Sequence, residues 1–330
     1  MVSSFLSQAL LLAAVAFDCA SAFPAHYRHV APRATSVGVV GNIRIPTGYT
    51  TTLFSDGFAG TVGSLPSTDR WTIDVGTQYT GGAAKWGTGE TQTYAKSTSN
   101  LKITAAGTLL ITPVKTTTNG KTTWTSGRIE NIKTWDFTAA VGKKLRIESR
   151  LKLGGANAAS KQLGIWMAFW SLGSAYRGNY QNWPAIGEID IMESLNGAAR
   201  AYETVHCGTS SGGPCLETTG ISTSNTMYRS VWYTVAVVVD RTASKTASDW
   251  KGESITWLMN EKVLFTVKAT TVNNQAAWKA LAQTAKFLLL NVAVGGSFPD
   301  AVAGVTTPTS ATLGGEGSSL EVDYVAVFTS

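Results

Sequence analysis

The stretch KKLRIESRLKL at residues 143–153 shows the strand pattern of this chain most clearly. Leu145, Ile147 and Leu151 lie on alternate positions, and charged residues occupy the positions between them. Alternation with a period of two is typical of a β-strand that buries one face and exposes the other. We therefore expect a strand here, with its charged face in water.

Similar short apolar segments recur after residue 34, separated by Gly, Asn, Thr and Ser. The chain has 33 glycines among 330 residues and only 15% charged residues, below the roughly 25% of an average globular chain. Only residues 274–285 predict a helix, a short and peripheral one. We expect an all-β sandwich or barrel forming one domain over residues 34–330. The strand candidates are residues 101–103, 108–112, 145–153, 164–169, 232–240, 254–259, 263–267, 287–294 and 320–328.

The N-terminal segment has the pattern of a secretory signal. Residues 5–17 are mostly apolar but too few to span a bilayer, and the small residues Ala20, Ser21 and Ala22 follow them. An N-terminal membrane anchor is the alternative, but no stop-transfer run follows. We interpret residues 1–22 as a signal peptide and residues 23–33 as a pro-segment, and expect a protein secreted to the extracellular space without a membrane partner.

The cysteine and histidine counts exclude several classes of site. Cys207 and Cys215 are the only cysteines after the signal, and an oxidising compartment favours a disulfide between them. His206 is the only histidine after residue 33, so a zinc site with two or three histidines cannot form. The net charge of +6 is spread along the chain, which argues against nucleic-acid binding.

The segment WPAIGEIDIME, which ends at Glu193, places three carboxylates in an apolar strand. On a regular strand, Glu188 and Asp190 share a face, whereas Glu193 falls on the opposite one. Burying an unpaired charge is costly, so we expect a β-bulge at Ile191 or Met192 that returns Glu193 to the acidic face.

Two carboxyl groups on one face are what retaining glycoside hydrolysis needs: one attacks the anomeric carbon and the other protonates the leaving oxygen. On a flat strand the two glutamate Cα atoms would lie about 16 Å apart, whereas retaining catalysis needs carboxyl groups about 5 to 5.5 Å apart. The bulge, strand curvature and long side chains must supply the difference. The alternative interpretation is a solvated acidic strand face.

The motif GEIDIME at residues 187–193 resembles the active-site signature of glycoside hydrolase family 16, in the variant with an extra bulge residue. That variant is typical of its laminarinase-like endo-β-1,3(4)-glucanases. The resemblance implies a β-jelly roll with an open concave cleft, with Glu188 as nucleophile, Glu193 as general acid/base and Asp190 as an assisting carboxylate. Further segments that resemble the family are residues 86–94, 125–129, 164–173, 288–300 and 321–328.

The resemblance also implies residues that support binding. Trp183 stands close enough to Glu188 to form a wall of the cleft, and His206 is expected near Glu193 or the substrate. Trp170 and Arg128 are further substrate-binding candidates. Their alternatives are core packing for the tryptophan and an ordinary salt bridge for the arginine. Separately, Asp323 matches a family position that helps to hold a structural calcium ion.

Together these features predict a secreted, monomeric, retaining endo-β-glucanase that cleaves β-1,3 or mixed β-1,3/1,4 glucans without a cofactor in the chemistry. Hydrolysis of β-1,3-galactan and transglycosylation are alternatives that the sequence does not separate. A non-catalytic glucan-binding protein is the alternative from another class. Three clustered carboxylates argue against it, because binding alone gives no reason to keep them.

Overall fold

The computed structural model describes residues 43–330, so the expected signal peptide and pro-segment lie outside the described residues. The described chain forms two large antiparallel sheets and one small sheet, with strands numbered in chain order. The predicted all-β architecture is confirmed, and the fold is a β-jelly roll. None of the helices in residues 43–330 is long and apolar enough to cross a membrane.

The first sheet, here called the catalytic sheet, carries the acidic motif on a strand near its middle. All its neighbouring strands pair antiparallel. In spatial order it consists of β13 (Ile221–Thr226), β12 (Arg200–His206), β11 (Glu188–Leu195), β10 (Ile165–Gly173), β17 (Lys286–Val294), β8 (Arg128–Asn131) and β2 (Trp71–Ile73).

The second sheet, here called the outer sheet, has eight strands. In order they are β16 (Lys262–Lys268), β15 (Ser254–Met259), β14 (Trp232–Asp240), β9 (Lys144–Leu153), β18 (Leu320–Thr329), β5 (Leu109–Ile111) and β4 (Leu101–Ile103), with β1 (Thr51–Asp56) also paired to β18. The small sheet consists of β3 (Thr93–Tyr94), β7 (Lys121–Ser126) and β6 (Val114–Thr118).

Helices are short and lie between strands. The α-helices are α1 (Ala269–Val272), α2 (Gln275–Trp278) and α3 (Ser297–Ala303), and a π-helical turn (Lys279–Gln283) follows α2. Single 3₁₀ turns span Ala84–Gly87, Lys133–Trp135, Ala159–Lys161, Ser174–Tyr176, Trp250–Gly252 and Glu316–Ser318.

The helix predicted at residues 274–285 is confirmed, but it is not peripheral. Asn274 caps α2 by accepting a hydrogen bond from the backbone N–H of Ala277 at 3.0 Å. Trp278 is fully buried, and its Nε1 donates to a carboxylate oxygen of Glu253 at 2.7 Å. A buried tryptophan therefore anchors this short helix in the core.

The two large sheets bury a common apolar core. Phe169 and Ile189 of the catalytic sheet belong to the same buried cluster as Ile147 and Val237 of the outer sheet. Trp257 on β15 also reaches across, and its Nε1 donates to the backbone oxygen of Asp190 at 2.8 Å. This hydrogen bond therefore links β11, the strand with the three carboxylates, to the outer sheet.

The expectation that the charged face of residues 143–153 lies in water is wrong at its centre. Arg146 and Glu148 are each only 4% exposed. The Arg146 Nε donates to Glu148 at 2.6 Å, and Glu261 and the Tyr324 hydroxyl also contact this pair. Because β9 lies between β14 and β18, side chains from neighbouring segments cover it. The face is therefore a buried, paired charge network.

Glu203 on β12 gives the stability of the fold a pH dependence. It is 2% exposed, and its Oε2 accepts a hydrogen bond from Asn225 Nδ2 at 2.9 Å. Burial raises the pKa of this carboxyl to about 7. Since an unfolded glutamate titrates near pH 4.3, the native state holds a proton that the unfolded state releases, so this group lowers stability as pH rises from about 4.3 to 7.

A Glu203→Gln variant should remove this dependence. We expect it to gain roughly 1–3 kcal/mol of unfolding free energy over the parent at pH 8 and little at pH 4.5. Urea denaturation of both proteins at the two pH values measures the difference. An equal gain at both values would contradict the assignment.

Candidate active site

A β-bulge shapes the acidic strand. Opposite β11, the adjacent residues Phe169 and Trp170 of β10 pair with Met192 and Asp190, so Ile191 is the extra residue. The bulge predicted at Ile191 or Met192 is therefore confirmed. An inserted residue re-aims every side chain that follows it.

The pairing of β11 with β12 shows where the bulge places the two glutamates. Glu188 lies opposite His206, and Glu193 lies opposite Tyr202, with an irregularity in the register between them. His206 and Tyr202 are four residues apart, so they project from one face of β12. Glu188 and Glu193 consequently share that face, although their spacing of five would separate them on a regular strand.

Glu193 is buried on the same face of the strand as Glu188. It is 8% exposed, and its Oε1 accepts a hydrogen bond from Trp166 Nε1 at 2.8 Å. Burial raises the pKa of Glu193 to about 7, against the opposing effects of His206 and of the Trp166 hydrogen bond. A carboxyl that stays protonated up to neutral pH suits a general acid.

Glu188 is partly exposed, and its Oε2 accepts a hydrogen bond from Trp183 Nε1 at 3.1 Å. Burial raises its pKa, while the charge of His206 and the Trp183 hydrogen bond lower it. Burial is the larger effect, so the pKa of Glu188 is raised overall, and His206 and Trp183 offset part of that rise.

Asp190 lies between the two glutamates and is 3% exposed. Burial raises its pKa well above the usual range, and the charges of Glu188 and Glu193 raise it further. The carboxyl therefore stays protonated. Its Oδ2 lies 3.5 Å from the Nε2 of His206.

His206 contacts Asp190, and its other nitrogen faces a residue that the sequence did not single out. Nδ1 lies 2.8 Å from the Oε2 of Glu217. Glu217 follows the predicted disulfide between Cys207 and Cys215, which the structure confirms with Cα atoms 5.3 Å apart. No motif marks Glu217, because only the fold of this loop brings it to the histidine.

The turn before Glu188 is held from behind. Gly187 has φ +71°, and a Cβ on it would lie 2.6 Å from the backbone of Ala280, so only glycine fits there. Lys286 is 3% exposed, and its Nζ donates to the carbonyls of Ile186 at 3.2 Å and Gly187 at 3.1 Å, and also to that of Ala280. Burial lowers the pKa of this lysine to about 7. The sequence did not mark it, because the partners are distant carbonyls.

Comparisons with known proteins place this site in a family. The model of the XgeA-like catalytic domain of glycoside hydrolase family 16 matches residues 80–252. A solved endo-1,3-β-glucanase from Streptomyces sioyaensis is 41% identical with a TM-score of 0.78, over 87% of this chain and 98% of that one. The chain belongs to glycoside hydrolase family 16.

Two curated relatives are more distant and longer than this chain. The clotting factor G alpha subunit of Tachypleus tridentatus is 26% identical over 84% of this chain and 33% of its own length. Glucan endo-1,3-beta-glucosidase A1 of Niallia circulans is 28% identical over 84% of this chain and 37% of its own. The chain thus spans about a third of the length of these two relatives.

The tryptophans expected to line the family 16 cleft lie beside the carboxylates. Trp183 is partly exposed, and its ring centroid lies 5.5 Å from that of His206. Trp170 is also partly exposed, lies opposite Asp190 and donates from Nε1 to Asn291 Oδ1 at 2.8 Å. Both indole rings are therefore partly accessible, and a hydrogen bond from each Nε1 fixes the orientation of the ring.

Arg128 is the remaining substrate-binding candidate, with an ordinary salt bridge as its alternative. It is 4% exposed, and its Nε donates to Asp74 Oδ2 at 3.0 Å. Its guanidinium carbon lies 4.4 Å from the ring centroid of Trp86 and 5.0 Å from that of Trp170. The arginine thus makes the salt bridge, and its guanidinium also contacts the rings of Trp86 and Trp170.

Asp323 does not have the surroundings of the calcium ligand that the family resemblance implied. Its Oδ2 accepts a hydrogen bond from Arg150 Nη1 at 2.6 Å. A guanidinium thus occupies the side where a cation would bind, and cations repel one another. The residues present do not fit a calcium site built on this carboxylate.

Proposed function

We propose that this chain is a secreted, monomeric endo-β-glucanase that hydrolyses β-1,3 or mixed β-1,3/1,4 glucans with retention of configuration. The observation that carries the proposal is the bulge in β11, which sets Glu188 and Glu193 on one face with Asp190 between them. The likeness to the Streptomyces endo-1,3-β-glucanase, which covers 98% of that protein, supports the substrate class.

In the first step, Glu188 attacks the anomeric carbon and the bond to the leaving oxygen breaks. Glu193, protonated because its pKa is raised to about 7, transfers its proton to that oxygen. Asp190, kept protonated by burial, adds no negative charge beside the nucleophile. The products are a shortened glucan and a glycosyl ester on Glu188.

In the second step, Glu193, now a carboxylate, removes a proton from water as the oxygen attacks the anomeric carbon. The ester bond breaks, Glu188 leaves as a carboxylate, and the proton returns Glu193 to its starting state. Both steps use only side chains of this chain. A sugar hydroxyl in place of water would give transglycosylation.

The pH dependence of kcat/KM should be bell-shaped. Activity should fall as pH rises through about 7, because Glu193 then loses the proton it must donate. It should also fall at acid pH, where Glu188, with its own pKa raised by burial, becomes protonated. The two apparent values belong to the coupled cluster. A flat profile between about pH 4 and 8 would contradict this pair.

Product analysis tests the substrate class. The purified protein should release short oligosaccharides from laminarin, from mixed-linkage β-glucan, or from both, and NMR of fresh products should show the β-anomer first. Products from β-1,3-galactan alone would reassign the substrate, and products longer than the starting chains would indicate transfer. Binding without any product would support the non-catalytic alternative.

Secretion and oligomeric state have their own test. N-terminal sequencing of protein recovered from the medium of the expressing cells should show that residues 1–22 have been removed. Light scattering should give the mass of one chain. An intact N-terminus on cell-bound protein would contradict secretion.

A further inference from the structure

We propose that Glu217 is a positioning residue that fixes the tautomer of His206 and thereby keeps a proton between His206 and Asp190. The proposal deepens the proposed function, because it concerns the protonation of the same carboxylate cluster. It rests on the geometry of one buried carboxylate, one histidine and one oxygen without a hydrogen bond.

Glu217 is held at both carboxylate oxygens. Its side chain is fully buried, with 0% exposure. One oxygen, Oε1, accepts a hydrogen bond from the backbone N–H of Cys207 at 2.8 Å. The other, Oε2, lies 2.8 Å from Nδ1 of His206. Since Oε1 already accepts from a backbone N–H, the geometry places Glu217 as an acceptor at both oxygens, and Nδ1 then carries the hydrogen.

The state of the second nitrogen follows. With a hydrogen on Nδ1, Nε2 of a neutral ring is a lone pair, and it faces Asp190 Oδ2 at 3.5 Å. That oxygen is buried and has no hydrogen-bond partner among the described residues. Two lone pairs cannot face each other stably, so one proton lies between them, on either Nε2 or Oδ2. Glu217 thus determines that the contact holds a proton.

The charges around His206 favour this arrangement. Glu188, Glu193 and Glu217 are the negative groups that raise the pKa of the imidazole, against burial, which lowers it. Asp190 completes the set of ionisable groups that face the ring. A proton held in this cluster offsets the repulsion between the catalytic carboxylates and leaves Glu188 as the anion.

The loop around the disulfide sets the position of Glu217. The backbone N–H of Glu217 donates to the carbonyl of Gly212 at 2.5 Å, and the carbonyl of Glu217 accepts from the N–H of Gly212 at 2.5 Å. Cys215, two residues earlier, is bonded to Cys207, the residue after His206. The bridge therefore links the histidine and its orienting carboxylate through two short chain segments.

The direct test is the tautomer of His206, read from nitrogen-15 NMR shifts of the full-length protein. The resonance is assigned by its loss in a His206→Gln variant, which separates it from His26 and His29. We expect an Nδ1–H ring in the parent, as the neutral ring or the imidazolium. A neutral Nε2–H tautomer would overturn the proposal, whatever the substrate proves to be.

A Glu217→Gln variant tests the consequence. The Cys207 N–H still needs the side-chain oxygen, so the amide NH₂ should face Nδ1 and the ring should change to the Nε2–H tautomer. The neutral amide also removes a charge that raises the pKa of His206, so the imidazolium that lowers the pKa of Glu188 is lost more readily. We expect kcat to fall about tenfold or more, KM to change little, and the acid limb of the pH profile to move to higher pH.

Glu203→Gln is the matched control, because it makes the same change at another buried glutamate, on β12, the strand that carries His206. It should leave the pH profile of activity unchanged. A Glu217→Gln protein with the parental tautomer and pH profile would overturn the proposal. If no polymer is cleaved, the proposed function fails, but the tautomer measurement still decides the role of Glu217.

Discussion

A Glu188→Gln variant should lose kcat on β-glucan by at least about 10⁴-fold, because the reaction then has no nucleophile to form the glycosyl ester. Glutamine keeps the size of the side chain and can still accept the Trp183 hydrogen bond. Binding of a glucan oligosaccharide should therefore stay within a few-fold of the parent. Calorimetry on the variant and initial rates on both proteins provide the two numbers.

The matched comparison is a Glu188→Ala variant assayed with azide, a small anion that can enter the space left by the side chain. Azide attack from the nucleophile's side should restore turnover and give a glycosyl azide of inverted configuration. Parallel losses of binding and turnover in the Gln variant, with no azide product from the Ala variant, would reject Glu188 as the nucleophile.

Replacing Glu193 with alanine should lower kcat on β-glucan by about 10²–10⁴-fold and remove the loss of activity near pH 7 that its raised pKa causes. The effect should depend on the leaving group. Dinitrophenolate leaves a dinitrophenyl glycoside without needing a proton, so this substrate should give a rapid burst of dinitrophenolate followed by slow hydrolysis of the glycosyl enzyme.

Azide again provides the control. It should attack the accumulated intermediate of the Glu193→Ala variant and give a product of retained configuration, opposite to that from the Glu188 variant. A variant that lost activity equally on polymer and on dinitrophenyl glycoside, with no burst, would place Glu193 outside the acid/base role.

Local patterns in the sequence predicted much of the framework. The predicted segment 232–240 coincides with β14, and 254–259 coincides with β15. Alternating apolar residues identify such strands because every second side chain is buried in the core. The bulge at Ile191 was predicted as well. Glu188, Asp190 and Glu193 can share a face of one strand only if an extra residue corrects the spacing. The requirement that the carboxylates lie together therefore predicted the bulge.

Long-range packing decided what the sequence did not predict. Arg146 and Glu148 look like solvent-facing residues until β14 and β18 are known to flank them. Glu217 and Lys286 reach the site through a loop and a strand end that are distant in sequence. Their partners are a ring nitrogen and backbone carbonyls, which leave no spacing pattern.

The indole of Trp257 limits how freely this fold can be recombined. Its N–H satisfies the carbonyl of Asp190 beside the bulge, where the register with β12 is interrupted. The donor belongs to the opposite sheet, so the two halves of the sandwich are not interchangeable modules. A chimera that joins this catalytic sheet to a relative's outer sheet keeps the shape of the acidic strand only if the graft brings an N–H donor to that point.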